Sequence, residues 1–322
     1  MFDIITIGDS TLDTFLVIDE ATLNCDLKKD SCFLCLNFAD KIPIKNTAQS
    51  VGGNAANIAV GAKKLGLQTA IFTELGDDIN GHIIKNELKN AGVNTKLIKI
   101  LKNEDTRYSV ILNYKSERTI LSYHAPRKYS LPKLPATKWI YYTSLGKSFD
   151  GLQTKLESYL KKYPKTKLAV NPGSYQFKNG LNKIKKIFPQ TDLLIVNKEE
   201  TNKLVGKKKT IKNYFKFLHN KGVGTIIITD GTKGSYCSDG TARYFMPSYP
   251  IQAIAKTGAG DAYSSGLIAA LIHGKSLPEA MQWGTANACG VIRQFGAQKG
   301  LLNQRAIIAT LRKYPKAKPV KI

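Results

Sequence analysis

Lys256-Thr257-Gly258-Ala259-Gly260-Asp261-Ala262-Tyr263 opens a predicted helix that continues to about residue 273. Two glycines with one alanine between them let a ligand approach the backbone closely, and free N–H groups at a helix start can bind an anion. A carboxylate inside such a site would ordinarily repel a phosphate. Asp261 is therefore interpreted as a base that takes the proton of a hydroxyl attacking phosphorus. The segment alone is equally compatible with a plain helix N-terminus whose Asp lies at the positive end of the helix dipole.

A second pair of glycines lies in Val51-Gly52-Gly53-Asn54-Ala55-Ala56-Asn57, which also leads into a predicted helix. The glycines allow close approach of a ligand, and Asn57 can both donate and accept hydrogen bonds. A capped helix packing tightly on a sheet is the alternative. The segment is not a dinucleotide fingerprint, because G-x-G-x-x-G is absent, and the chain has no Walker A sequence.

Two acidic residues, Asp9 and Asp13, follow the first predicted strand. Ligands of α/β sheets bind at the carboxyl ends of the strands, where carboxylates can hold sugar hydroxyls. Both residues are also common in turns, which is the alternative for each.

Strand and helix patterns alternate from residue 51 onward. The predicted strands are Thr69–Leu75, Trp139–Ser144, Lys167–Val170, Leu193–Val196 and Gly224–Thr229. The predicted helices are Asn54–Leu65, Asn80–Asn90 and residues 150–163, 179–188, 209–220, 259–273 and 277–294. This alternation predicts an α/β fold in which a mainly parallel central sheet is flanked by helices on both faces.

Two stretches, about residues 12–50 and 107–124, interrupt the alternation. Tyr108–Tyr114 and Arg118–His124 flank three polar residues and predict a hairpin. We expect the two stretches to form a small antiparallel sheet that acts as a lid, inserted in a single domain over residues 1–322. The Lys- and Pro-rich tail, Lys313–Ile322, is predicted to be a loosely held end.

The charge of the chain is unusual. Its 322 residues include 48 Lys and Arg against 24 Asp and Glu, a formal net charge of +24. Nucleic acid attracts such charge, but lysines outnumber arginines and are spread along the chain, so a solvated basic surface is expected and a nucleic-acid partner is not. No apolar run approaches the ~20 residues that span a bilayer, and no signal-peptide pattern follows Met1, so a cytoplasmic protein is expected.

Taken together and in this order, the two glycine segments resemble the signatures of the ribokinase-like (PfkB) family of carbohydrate and nucleoside kinases. The resemblance covers roughly residues 2–310 and implies a ribokinase-like fold and transfer of the γ-phosphoryl group of ATP to a hydroxyl of a sugar. An adenosine-type nucleoside kinase is the alternative, and a nucleic-acid-binding or non-catalytic protein is the alternative from another class. The resemblance implies that Asp261 is the general base, that the backbone of Gly258, Ala259 and Gly260 forms an anion hole, and that the acceptor hydroxyls are held by Asp9, Asp13, Gly52, Gly53 and Asn57.

The resemblance also implies residues for ATP and Mg²⁺. Asn197 and Glu200 match an N-x-x-E motif that arranges Mg²⁺ and phosphate through water, and without the family Asn197 is an ordinary helix N-cap. Thr229, Gly231 and Gly234 resemble a nucleotide-binding loop, and Asn287 matches an asparagine near the adenine. Ala255 replaces a carboxylate found near the K⁺ site of many relatives, which argues against activation by K⁺. Lys256 adds positive charge either near the phosphates or to the solvated surface.

The lid stretches contain further candidates. Cys32-x-x-Cys35 has the spacing of a metal knuckle with Cys25 as a third ligand, but no fourth ligand is evident, so buried apolar thiols are favoured over zinc or a redox pair. Four basic residues cluster around the second lid hairpin: Arg107, Arg118, His124 and Arg127. Their positive charge over the acceptor could select a phosphorylated sugar, and a solvated surface is the alternative. Phe15, Phe33 and Phe38 could stack on a nucleobase. Relatives commonly pair through their lids, which implies a homodimer.

Overall fold

The computed structural model describes residues 1–26, 31–115, 117–207 and 210–322. In it the strands are β1 Phe2–Ile7, β2 Thr11–Ile18, β3 Thr22–Asp26, β4 Ser31–Cys35, β5 Ile44–Gly52, β6 Thr69–Phe72, β7 Glu74–Gly76, β8 Lys99–Leu101, β9 Tyr108–Tyr114, β10 Glu117–Tyr123, β11 Thr137–Tyr142, β12 Lys167–Val170, β13 Leu193–Asn197, β14 Thr225–Thr229, β15 Ser235–Ser238, β16 Arg243–Met246 and β17 Val320–Lys321. The α-helices are α1 Asn54–Lys64, α2 Ile79–Asn90, α3 Asp150–Lys162, α4 Ser174–Asn179, α5 Leu181–Ile184, α6 Lys198–Val205, α7 Ile211–His219, α8 Ala259–Ile272, α9 Leu277–Val291 and α10 Gln304–Lys313.

The central sheet has nine strands in the order β17-β16-β15-β14-β13-β12-β11-β1-β6. The six strands from β14 to β6 are parallel, and β15, β16 and β17 add an antiparallel edge. Parallel strands covered on both faces are apolar along their whole length, and Ile4, Ile5 and Ile7 of β1 are fully buried.

Helices cover both faces of this sheet, as the sequence predicts. Ile5 and Ile7 belong to an apolar cluster with residues of α3 and of the helices from α4 to α7. Ile4 belongs to a second cluster, formed with α1, α8, α9 and α10. Because α1 and α8 share one face and contact each other, the two glycine segments that precede them are brought to the same edge of the sheet.

A separate sheet has the strand order β10-β9-β2-β5, and we call it the lid sheet. Its strands come from the two stretches that interrupt the alternation, and β9 and β10 form the predicted hairpin. The expectation of a purely antiparallel sheet is wrong, because β2 and β9 are parallel. A tight turn between two strands makes them antiparallel. Since β2 and β9 come from separate stretches of the chain, no such turn joins them, and they can pair in parallel.

Two other local predictions need correction. The helix expected over residues 179–188 is a short α5 followed by a 3₁₀ segment, Lys185–Gln190, which contains Pro189. Proline cannot donate the hydrogen bond that a longer α-helix needs there. The tail is held, because β17 pairs with β16 and Tyr314 stacks on Tyr249. Within the described residues, no helix is long and apolar enough to cross a membrane.

Candidate active site

The anion site predicted from the glycine segment lies at the start of α8. Gly258 caps the helix in the left-handed conformation, with φ of 79°. A Cβ at this position would lie 2.5 Å from the Cβ of Ala297, so side chains are excluded both by conformation and by space. The turn that follows presents the backbone of Ala259 and Gly260, and Asp261 lies in the first turn of the helix.

Asp261 is held by a residue from the other glycine segment. Asn57 of α1 donates from Nδ2 to Oδ2 of Asp261 over 2.8 Å, across 204 residues of sequence. Burial raises the pKa of Asp261, the hydrogen bond from Asn57 lowers it, and the negative charge of Asp13 raises it. The resulting pKa is about 6. A carboxylate with such a pKa is largely ionised at neutral pH and is basic enough to accept a proton.

Asp13 stands beside this pair at the start of the lid sheet. Thr11 donates to its Oδ1 over 2.8 Å, and Ser109 of β9 also hydrogen-bonds to the carboxylate. The backbone of Gly52 lies so close that a Cβ there would be 2.0 Å from Oδ2 of Asp13. Burial raises the pKa of Asp13, and the two hydroxyl donors oppose the rise. Asp13, Gly52, Asn57 and Asp261 are therefore brought together, as predicted, and Gly53 caps the helix that carries Asn57.

Asp9 lies in a buried network instead of facing open space. Its Oδ2 accepts from Nη1 of Arg107 at 2.5 Å, and its Oδ1 accepts from the hydroxyl of Tyr129 at 2.8 Å. The same Arg107 nitrogen contacts Nδ1 of His124 at 2.9 Å. Burial and, to a lesser extent, the charge of Arg107 together lower the pKa of His124 to about 4, so the imidazole is neutral and accepts this bond. Both carboxylate oxygens of Asp9 thus already have protein donors.

The other basic residues of the lid stretches are also paired or solvated. Arg127 is buried and donates to Oε2 of Glu104 over 2.7 Å. Arg118 is exposed on the hairpin. Lys256 forms an exposed ion pair of 2.7 Å with Glu117 of β10, so its charge is directed to the lid sheet.

Asn197 and Glu200 form a capping box at the start of α6. Oδ1 of Asn197 accepts from the N–H of Glu200 over 2.8 Å, and Oε2 of Glu200 accepts from the N–H of Asn197 over 2.9 Å. Within the described residues, no hydrogen bond occupies the other carboxylate oxygen of Glu200. Burial raises the pKa of Glu200, the N–H of Asn197 opposes the rise, and the charge of Asp261 adds to it. One carboxylate oxygen of Glu200 is used in the capping box, and the other can accept a hydrogen bond from a water of the Mg²⁺ hydration shell.

The expected nucleotide loop follows β14, whose neighbour in the sheet is β13, the strand that leads into α6. Gly231 and Gly234 both have positive φ, and the N–H of Asp230 donates to the carbonyl of Gly234 over 2.8 Å. Thr229 ends the strand. Asn287, the residue expected near the adenine, has no exposed surface, donates to the carbonyl of Ala262 and accepts from the N–H of Leu302. We assign Asn287 to the packing of α8 on α9, because its amide is committed to protein groups.

A cavity of about 640 Å³ opens beside the segment that precedes Gly258 and α8. One wall comes from the lid sheet, with Phe15, Asn113 and Arg118, and the other comes from the segment that leads to Gly258, with Ile254 and Thr257. Phe295 also lines it. Phe15 lies two residues after Asp13 on β2, so both side chains face the same side of the lid sheet.

The lid cysteines differ from the expectation of buried thiols. Cys25 and Cys32 are exposed on the β3–β4 hairpin and are joined by a disulfide, and Cys35 is an exposed free thiol. The expectation failed because β3 and β4 form a separate two-stranded sheet, whose described residues are mostly exposed. No group of three or more His, Cys, Asp or Glu with metal-binding geometry occurs among the described residues. Cys237 and Cys289 are buried, as predicted.

A comparison with protein-family models matches residues 13–304 to the model described as "pfkB family carbohydrate kinase". The chain belongs to this family. The match includes both glycine segments and Asp13, and it begins just after Asp9. The coarse prediction of a kinase with a ribokinase-like fold is therefore confirmed.

Named relatives of this pfkB kinase act on different acceptors. A ribokinase of Haemophilus influenzae is 26% identical over 270 residues, covering 80% of this chain and 86% of the relative. A nucleoside kinase of Methanocaldococcus jannaschii is 25% identical over 287 residues, covering 85% and 92%. The crystal structure of the M. jannaschii nucleoside kinase superposes with a TM-score of 0.77 at 23% identity, covering 97% and 98% of the chains. That of Arabidopsis thaliana ribokinase complexed with ribose and ATP gives 0.79 at 19% identity, covering 97% and 99%.

Several contact residues were not identified from the sequence. Ser109 reaches Asp13 because β2 and β9 pair, although the two residues are 96 positions apart. Tyr129 lies outside the lid stretches and still contacts Asp9. Gln298 donates to Asn57 from a loop between α9 and α10. No local pattern marks these residues, because their neighbours in space are distant in sequence.

Proposed function

We propose that this pfkB kinase transfers the γ-phosphoryl group of ATP to a hydroxyl of a sugar, with Asp261 as the general base. The observation that carries the proposal is the position of Asp261, one residue after the glycine turn at the start of α8 and hydrogen-bonded to Asn57. The acceptor oxygen would bond to phosphorus while its proton passes to the Asp261 carboxylate and the bond from phosphorus to ADP breaks. The turn amides would stabilise charge on the moving phosphoryl group.

The acceptor side is assigned mainly to Asp13 and Asn57. Asp13 is buried and its charge acts on Asp261, and its carboxylate packs directly on the backbone of Gly52, where any Cβ would collide with it. Asp9 is a weaker candidate for a direct contact, because Arg107 and Tyr129 already bind its oxygens. We therefore propose that Asp9 orders the base of the lid sheet and that Asp13 binds an acceptor hydroxyl. Mg²⁺ would be held by Glu200 through water and would neutralise charge on the phosphates of ATP.

A nucleoside acceptor is the second candidate, and the cavity is the observation that favours it. Its volume of about 640 Å³ exceeds the needs of a monosaccharide, and Phe15 and Phe295 line it with aromatic surface. A phosphorylated acceptor is less well supported, because the guanidinium groups of Arg107 and Arg127 are already paired with Asp9 and Glu104.

The test is ADP release from Mg·ATP with ribose, fructose, other sugars, their phosphates and nucleosides. For the best acceptor, Asp261→Asn should lower kcat by about 10²–10⁴, because the amide cannot take a proton. ATP binding should be largely unchanged. Asp150→Asn is the matched control, since Asp150 also lies in the first turn of a helix but its carboxylate is ion-paired with Lys183. Turnover of Asp261→Asn close to that of the wild type would refute the assignment.

We also propose that two copies pair through their lids. Apolar side chains are exposed on and after the β3–β4 hairpin, with Phe33 exposed by 63% and Phe38 fully exposed. Such side chains are typical of a surface that a partner covers. Light scattering after size exclusion should give twice the chain mass for the wild type, and Phe38→Ser should shift it toward the monomer. A wild-type monomer at micromolar concentration would contradict this pairing.

A further inference from the structure

The loop between α9 and α10 contacts both parts of the catalytic centre. Ala297 packs against Gly258, the residue that begins the anion site. The next residue, Gln298, donates from Nε2 to Oδ1 of Asn57 over 3.0 Å. Asn57 in turn donates from Nδ2 to Oδ2 of Asp261 over 2.8 Å. The three side chains form a chain of two hydrogen bonds that ends on the base.

We propose that Gln298 is a positioning residue that orients the Asn57 amide so that its NH₂ group faces Asp261. This inference rests on the proposed role of Asp261 as general base.

The order of donors and acceptors in the chain follows from its last member. An ionised carboxylate only accepts hydrogen bonds, so the Asn57 group that meets Asp261 must be the NH₂ group. The Oδ1 of Asn57 then faces the other way and needs a donor. Gln298 supplies that donor, and in doing so it disfavours the reversed amide, in which two NH₂ groups would face each other.

A reversed Asn57 amide would place Oδ1 against the Asp261 carboxylate. Among the described residues, the other ionisable groups that interact with Asp261 are Asp13 from β2, Glu200 from α6 and Tyr141 from β11. Asp13 and Glu200 are acidic, so they add negative charge and do not replace a lost donor. The base would then hold a proton at higher pH and would be unavailable to the acceptor.

Two variants separate orientation from packing. Gln298→Glu keeps the size of the side chain but replaces the donor by a carboxylate, which draws the Asn57 NH₂ group away from Asp261. Gln298→Met keeps the length and removes the donor. The matched control is Gln304→Met. Gln304 is the first residue of α10, and its side-chain amide donates to the carbonyl of Leu65.

The kinetic readout is the pH profile of kcat with saturating Mg·ATP and acceptor. For Gln298→Glu, we expect the acidic limb to move up by about one pH unit. From a wild-type pKa near 6, that shift lowers kcat by about eightfold at pH 5.5 and by less than about twofold at pH 8.5. Gln298→Met should move the limb in the same direction by less, and Gln304→Met should not move it. A purely structural role would lower kcat equally at both pH values and would refute the proposal.

A second readout needs no turnover. The Asp261 carboxyl is followed by ¹³C NMR during a pH titration of the full chain, with Asp261→Asn used to assign its signal. The pKa of Asp261 should rise in Gln298→Glu, and an unchanged value would overturn the role of Gln298. If the wild type releases no ADP with any acceptor, the proposed function fails, while this titration still decides whether Gln298 controls Asp261.

Discussion

Removal of Arg107 tests whether the buried network at the base of the lid sheet holds the fold together. In Arg107→Met, the Asp9 carboxylate loses its cation and remains buried, because both side chains of the pair are no more than 6% exposed. Leaving one member of a buried ion pair uncompensated costs roughly 3–5 kcal/mol. For a chain of 322 residues, an unfolding entropy of about 2.1 cal/mol/K per residue converts about 4 kcal/mol into a decrease in Tm of about 6 °C.

The effect should also depend on pH. In Arg107→Met, burial without the guanidinium places the folded-state pKa of Asp9 above its unfolded value. Stability from the protonated carboxyl is then present at low pH and is lost as the pH rises through the folded-state pKa. The decrease in Tm should therefore be larger at pH 8 than at pH 5, and Asp9→Asn combined with Arg107→Met should recover part of the loss.

The measurement is thermal unfolding at both pH values, with Lys183→Met as the control. Lys183 forms an ion pair of 2.7 Å with Asp150, and both side chains are 48% exposed, so its loss should cost no more than about 1 kcal/mol. If Arg107→Met lowers Tm no more than Lys183→Met does, the network does not stabilise the fold. A loss of activity confined to phosphorylated acceptors would instead assign Arg107 to the acceptor.

Three further measurements, two on variants and one on the wild type, have distinct expected results. Gly258→Ala should lower kcat at least tenfold, because its Cβ would collide with Ala297 in a left-handed backbone; wild-type kcat would refute the fixed geometry of the anion site. The wild-type profile of kcat against pH should rise through an apparent pKa near 6, the value for Asp261, and a profile flat from pH 5 to 8 would contradict this. Cys25→Ser removes the disulfide with Cys32 on an exposed hairpin, so mass spectrometry should show the loss of one bridge while kcat stays within about twofold; a larger change would link the hairpin to the catalytic centre.

Much of the fold could be predicted because its signals are local. The strand Lys167–Val170 was predicted with the same bounds that the structure shows, since a short apolar run between helices of an α/β chain is typical of a strand buried on both faces. The starts of α1 and α8 were predicted from glycine pairs followed by small residues. These two starts also carry Asn57 and Asp261, so the centre of the candidate site could be located from the same local patterns.

The rest depends on contacts that no local pattern encodes. Asp9 and Asp13 have similar surroundings in the sequence, yet Arg107, 98 positions from Asp9, binds one of them and not the other. The direction of β9 relative to β2 was mispredicted because hairpin signals describe neighbouring strands, and these two are joined through other elements. Cys25 was expected to be buried from the general habit of free cysteines, but burial depends on whether a covering layer exists.

The distribution of charge around Asp261 explains how the proposed base can lie where a phosphate is expected to bind. Burial of Asp261, together with the charges of Asp13 and Glu200, favours its protonated form, and the hydrogen bond from Asn57 opposes this. A pKa near 6 is the balance of these effects, low enough for ionisation at neutral pH and high enough for proton uptake. Any cation brought by ATP would act on the same balance, since positive charge near Glu200 lowers the cost of ionising Asp261. The net positive charge of the protein is therefore not reproduced at the proposed catalytic centre, where the proposed reaction uses acidic groups whose protonation is set by their neighbours.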